Sequence, residues 1–119
     1  MNVLILGAST NPGRYSNMAL KDLKLYDHQV IAVGNREALV DDVKIQTELP
    51  PVSADIHTVT VYLSKKNQAT YEDFIQSLKP KRVIFNPGAE NQSLSQRLKE
   101  KGVEAIDACT LVMLRTKQF

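Results

Sequence analysis

The residues best suited to chemistry lie near the start of the chain, in Gly7-Ala8-Ser9-Thr10-Asn11-Pro12-Gly13-Arg14-Tyr15-Ser16-Asn17. The apolar run Val3 to Leu6 precedes them, and Met18, Ala19, Leu20 and Leu23 follow in a helical pattern. A strand, a glycine-containing loop and a helix start aim free backbone N–H groups at one spot, and the positive end of the helix dipole faces it too. Anions, phosphates above all, bind such a spot. A dinucleotide fingerprint G-x-G-x-x-G would put glycine at 7, 9 and 12, where this chain has Gly7, Ser9 and Pro12. Gly7 serves the tight turn. Ser9 offers a hydroxyl donor but blocks the closest backbone approach. Pro12 has no N–H, and Gly13 restores freedom one residue later. The expectation is that Ser9 and the amides of residues 8 to 17 hold a pyrophosphate, with Arg14 adding a positive charge. A plain strand-to-helix turn with no ligand is the competing reading.

A second informative stretch is Val33-Gly34-Asn35-Arg36, at the end of the second strand. Domains that bind NAD place an acid there to hold the ribose diol. Here the end is neutral or basic, and Glu37 comes late. That suits an adenine ribose carrying a phosphate, as coenzyme A and NADP do, and fits simple NAD poorly. Arg36 as a solvated loop residue is equally compatible with its type.

These residues need a scaffold, and the pattern supplies one. Val3 to Leu6 reads as a strand covered on both faces. Ser16 suits the N-cap of the first helix. Gln29 to Val33 is a second strand, and Lys44-Ile45-Gln46 a short extra strand or extended piece. Thr58 to Leu63, rich in β-branched residues, is the third strand. Ser64 and Asn67 both suit a helix start, and Tyr71, Phe74, Ile75 and Leu78 share one helical face. Lys79-Pro80 stops that helix. Arg82 to Phe85 is the fourth strand and Asn86-Pro87-Gly88 a turn. Ser93 with Gln96 resembles a capping box. Gly102 stands where a left-handed C-terminal residue is wanted, before a fifth strand, Val103 to Ile106. A short helix is expected within 107–115.

Five alternations of strand and helix predict an α/β, Rossmann-like three-layer sandwich. The expected sheet is parallel and five-stranded, in the order 3-2-1-4-5, within a single domain over 1–119. Its crevice would lie at the carboxyl ends of strands 1 and 4. Gly7 to Arg14, Val33 to Arg36, Leu63 to Lys65 and Asn86 to Glu90 would meet along that rim.

Composition narrows the partners. The chain has 119 residues, a net charge of +2, 43% hydrophobic and 24% charged residues, ordinary for a soluble domain. So small a charge argues against nucleic acid or an anionic membrane. No apolar run approaches the roughly 18 residues of a membrane span, and with no basic lead or cleavage site before the first strand no targeting segment is expected. The single cysteine, Cys109, rules out an internal disulfide and fits a reducing cytoplasm. Leu111, Val112, Met113 and Leu114 form an apolar run that needs a second surface, either the domain's own sheet or that of a homodimer partner.

Taken together, Gly7-Ala8-Ser9 with Pro12 and Ser16-Asn17, the second strand ending near Asn35, Thr58 to Leu63, and Asn86-Pro87-Gly88-Ala89-Glu90-Asn91 carry a resemblance. The chain resembles the small, stand-alone CoA-binding domain proteins, which are similar to the nucleotide-binding domain of the succinyl-CoA ligase alpha subunit. The likeness runs to Asp107-Ala108-Cys109-Thr110-Leu111. It implies coenzyme A, acyl-CoA or a related nucleotide as ligand, with no established reaction. Together with the loop and rim argued above, the ligand contacts expected are Gly7, Ala8, Ser9, Thr10, Pro12, Arg14, Tyr15, Ser16, Asn17, Val33, Asn35, Arg36, Leu63, Asn86, Pro87 and Gly88. Such proteins often read Val-Asn-Pro where Val33-Gly34-Asn35-Arg36 stands, an acid where His57 stands, and Gln-x-Gly where Asn86-Pro87-Gly88 stands.

No catalytic residue is expected. His28 and His57 fall at the wrong end of the sheet for the crevice, and the phosphohistidine of the ligases has no counterpart. Cys109 reads as a packed, inert thiol. Glu90 has a helix-dipole reason to exist. No His, Cys, Asp and Glu cluster has metal spacing. The reading is a non-catalytic, regulatory coenzyme A module. A small NADP-dependent oxidoreductase is the first alternative. An interaction subunit with a degenerate nucleotide site is the other.

Overall fold

Val3, Leu4, Ile5 and Leu6 are 0–1% exposed, which a strand achieves only between two covered faces. The computed structural model describes all 119 residues and sets this segment, β1 (Asn2–Leu6), in the middle of a seven-stranded sheet. The chain continues through α1 (Tyr15–Leu25), β2 (Gln29–Val33), β3 (Ala38–Val40), β4 (Val43–Gln46) and β5 (Thr58–Val61). A short α2 (Lys65–Gln68) runs through a 3₁₀ turn (Ala69–Tyr71) into α3 (Glu72–Leu78). Then come β6 (Arg82–Phe85), α4 (Gln92–Glu100), β7 (Glu104–Asp107) and α5 (Thr110–Arg115).

The α/β, Rossmann-like class is as expected, but the strand count and order differ. The sheet runs β3-β4-β2-β1-β5-β6-β7. The third expected strand, β5, pairs with β1 and not with β2. Its expected place belongs to β4, which lies parallel to β2 through Ala32–Ile45 and Val33–Gln46. Ile45 is 1% exposed, and burying it gives this short piece of the crossover a reason to join the sheet. β3 folds back antiparallel on β4 through a turn in which Asp41 has φ 52°. Every other pairing is parallel. With β4 counted as a strand, the order β4-β2-β1-β5-β6-β7 is the doubly wound one. The reversal then falls between β1 and β5, not at the fourth expected strand.

Helix ends also differ in detail. Arg14 occupies the N-cap of α1 with no side-chain bond, and Ser16 lies inside the first turn. At α4 the cap is Asn91, whose side chain accepts from the Leu94 amide at 3.1 Å, so Ser93 and Gln96 form no capping box. Gly102 has φ 80°, as its position demands, and Lys79 closes α3 at φ 48°.

Two apolar clusters sandwich the sheet. Ile75, Leu78, Leu94 and Leu98 from α3 and α4 pack on one face, and Leu20, Leu23 and Leu114 from α1 and α5 on the other. A fully buried side chain of this kind stabilises by about 1.5–3 kcal/mol. An exposed ion pair such as Lys44–Glu37, at 3.3 Å, contributes about 0–1 kcal/mol, so the two clusters hold the fold. Leu111 and Leu114 are buried within the chain, and of the C-terminal apolar run only Val112 is largely exposed. No helix is long and apolar enough to cross a membrane.

Candidate functional site

A cleft of about 810 Å³ opens at the carboxyl ends of β1 and β5, at the reversal. Gly7 turns the chain there with φ 94°, and a Cβ on it would meet Tyr62 and Leu63 at 3.2 Å. Both constraints call for glycine. Of the sequence-predicted residues, Gly7 to Thr10, Arg14 to Ser16, Val33, Asn35, Arg36, Leu63, Pro87 and Gly88 line this one cleft. Pro12, Asn17 and Asn86 do not.

The loop after β1 is folded by its own atoms. The amides of Gly7 and Ala8 both donate to the Val33 carbonyl, at 3.0 and 2.9 Å, which ties the loop to the end of β2. The Asn11 amide donates to Ser9 Oγ at 3.1 Å, and the Gly13 amide to Asn11 Oδ1 at 2.9 Å. The Arg14 amide donates to the Asn11 carbonyl, and the amides of Asn17 and Met18 to the Arg14 carbonyl. The amides left without an acceptor are those of Ser9, Thr10, Tyr15 and Ser16. This set replaces the broader expectation of residues 8 to 17. Ser9 Oγ accepts from Asn11 and keeps its own proton free to donate outward.

The two asparagines outside the lining support it. Asn17 is 2% exposed, and its Nδ2 donates to the Ser9 carbonyl at 2.9 Å. Asn86 sits beneath the rim. Its Nδ2 donates to Thr60 Oγ1 at 2.7 Å and to the Val61 carbonyl at 2.9 Å, and its Oδ1 accepts from the Thr110 amide at 2.8 Å. Thr60 and Thr110 share a further hydroxyl bond at 2.8 Å. Both asparagines brace the rim from beneath, with Asn17 Oδ1 buried and without a partner.

Gly34 and Ser64, within the rim segments expected from the sequence, line the cleft too, and sequence reasoning missed Leu6, Ile45, Tyr62, Asn67 and Tyr71. Tyr71 was expected on the core face of its helix. The 3₁₀ turn rotates it, so it both packs against the core and lines the cleft. The Tyr62 hydroxyl is buried without a partner, and burial pushes its pKa up to about 12. It stays protonated at neutral pH.

The sequence profile of the family described as "CoA binding domain" matches residues 1–115. The chain belongs to the CoA-binding domain family. That membership supports coenzyme A binding in general. An uncharacterized protein of known crystal structure is 44% identical, with a TM-score of 0.93, covering 99% of this chain and 97% of that one. The cell-free protein ID.343 from Thermus thermophilus is 18% identical, with a TM-score of 0.86, covering 99% and 90%. A dinucleotide-forming acetyl-coenzyme A synthetase 1 from Ca. Korarchaeum cryptofilum, solved with phosphate and ADP, is 14% identical, with a TM-score of 0.69. It covers 90% of this chain, which spans only 25% of that enzyme. The last two likenesses are likenesses of fold. No curated protein matches the chain.

As a CoA-binding domain, the chain has a cleft with a one-sided charge. Arg14 and Arg36 are its charged lining residues, and neither is in an ion pair. No Asp, Glu, His or Cys lines it. His28 and His57 precede β2 and β5, at the amino ends of the strands. Burial lowers both below the ordinary histidine pKa. Glu90 accepts from the Gly88 amide at 3.0 Å and braces its own turn. Cys109 is half-buried at the start of α5. No group of three or more His, Cys, Asp or Glu is placed to hold a metal.

The far wall of the cleft rests on a buried polar network. Gln68 is 0% exposed, and its Nε2 donates to the carbonyls of Leu63 and Ala89, at 2.8 and 2.6 Å. Asn91 Nδ2 donates to Gln68 Oε1 at 2.9 Å and to Glu72 Oε2 at 3.0 Å. Glu72 also receives Arg97, whose hydrogen bond holds its carboxyl below the usual range.

Proposed function

We propose that this domain binds coenzyme A across the switch point of its sheet, as a non-catalytic, regulatory module. The pyrophosphate sits over the loop after β1, on the amides of Ser9, Thr10, Tyr15 and Ser16 and the Ser9 hydroxyl. Arg14 adds charge from the loop. The phosphorylated adenine ribose lies toward Val33, Asn35 and Arg36, and the pantetheine arm runs toward Leu63, Tyr71 and Gly88. The observation that carries the reading is the convergence of four free amides and two unpaired arginines on one cleft lined by no acid. An anion is the ligand such a surface accepts. The lining hydroxyls have no Asp, Glu or His in the cleft to serve as their base, which favours binding over turnover.

The test is calorimetry with coenzyme A, dephospho-coenzyme A, NADP and NAD. Coenzyme A should bind tightest, because Arg36 meets the ribose phosphate. Equal affinities for coenzyme A and its dephospho form would show that this phosphate is not read. Preference for NADP would turn the site toward the oxidoreductase alternative, and preference for NAD would reverse the assignment at β2.

A further inference from the structure

A buried glutamine is an odd choice for a helix end. Gln68 is as enclosed as the leucines around it, and an apolar residue of its size would fill the same space without needing partners. An amide is costly to bury unless its hydrogen bonds are met. Here they are met in a particular way. Both donor bonds go to backbone carbonyls, one in the loop after β5 and one in the loop after β6. The acceptor is engaged by Asn91, which also caps α4. Those loops carry Tyr62, Leu63 and Ser64 on one side of the cleft and Pro87 and Gly88, next to Ala89, on the other. The phosphate loop has separate supports, in Val33 and Asn17.

We propose that Gln68 is a positioning residue that sets the span between Leu63 and Gly88, and so selects the non-nucleotide arm of the ligand. The inference rests on the coenzyme A reading above. The two halves of the cleft have independent braces. Loss of the Gln68 brace therefore weakens contacts to the pantetheine arm and leaves the nucleotide half intact. A preorganised wall contributes to affinity by sparing the cost of ordering on binding.

The test compares coenzyme A with adenosine 3′,5′-bisphosphate, its nucleotide half, by calorimetry on the parent, Gln68→Glu and Gln68→Met. Glutamate turns oxygens toward both carbonyls. Methionine keeps the volume and removes the donor. Both variants should lose about tenfold or more in coenzyme A affinity, and stay within about twofold of the parent for the bisphosphate. Bisphosphate binding doubles as the folding control, and if Gln68→Glu binds neither ligand, Gln68→Met decides. Equal losses for both ligands, or unchanged coenzyme A affinity, overturn the inference. A parent that binds the bisphosphate as tightly as coenzyme A also overturns it, while leaving a nucleotide site in place. A parent that binds neither ligand removes the functional reading as well.

Discussion

The carbonyl oxygen of Ala8 lies where a side chain on Gly34 would have to go. A Cβ at Gly34 would stand 2.6 Å from that oxygen and 2.9 Å from Ile45 Cγ2. The Gly34 amide donates to the Gln46 carbonyl at 2.9 Å. One residue thus locks β2, β4 and the loop after β1 together. Gly34→Ala should displace the loop, lower coenzyme A affinity by about tenfold, and cost about 1–3 kcal/mol of stability by overpacking. Calorimetry and urea unfolding measure both, and parental affinity would mean that the loop tolerates the shift.

Ser9 and Arg14 should separate by salt. Ser9→Ala removes a hydrogen bond to a charged group and should cost roughly 1.5–3 kcal/mol of affinity, about tenfold to a hundredfold. Arg14→Ala should cost less, and its effect should shrink as salt rises, because an exposed charge is screened. Neither change should move the unfolding midpoint. If both variants bind like the parent, the loop is an ordinary turn.

Asn86 should behave as a structural residue. Asn86→Ala orphans the buried Thr110 amide and removes a donor from Thr60, at roughly 1–3 kcal/mol for each group left unsatisfied. Denaturant unfolding should show the loss, with coenzyme A affinity near parental. A selective loss of affinity at unchanged stability would return Asn86 to the ligand contacts.

Stability should fall as pH drops from 7 to about 5. Burial, and then the positive charges of Arg82 and the Met1 ammonium, lower the pKa of His28 and His57 in the fold. A lowered folded pKa means that the fold prefers the neutral ring. The contribution is therefore fully present above the unfolded value of about 6.5 and lost as pH falls through it toward the folded values. The pair His28→Gln and His57→Gln should flatten this slope. Ligand affinity should not follow it, since both rings stand at the far end of the sheet. An unchanged slope in the double variant would assign the loss to other groups.

Much of the architecture was legible because its signals are local. The apolar run Val3 to Leu6 with Gly7 after it and the β-branched stretch from Thr58 announce strands and turns directly. Order was harder to read. It turned on Ile45, one apolar residue between Lys44 and Gln46, whose pairing with Ala32 no periodicity reveals. That the loop after β1 and Arg36 line one cleft could be read for the same local reason. Asn17 and Asn86 could not be sorted from ligand contacts, because a polar side chain at a rim serves backbone and ligand with the same atoms. Gln68 gave no signal at all, since a glutamine in a Lys-Lys-Asn-Gln stretch reads as solvated surface.

The two ends of the sheet are finished differently. The short antiparallel strand β3 forms one edge, while the parallel strand β7 forms the other and leaves its outer backbone groups from Glu104 to Asp107 unpaired. An open row of that kind is a template for strand addition by a neighbouring molecule. Glu104 and Asp107 are both exposed on it, one at each end. Two acids on such an edge set like charge against like charge when two copies of β7 approach, the kind of edge charge that discourages pairing between strands.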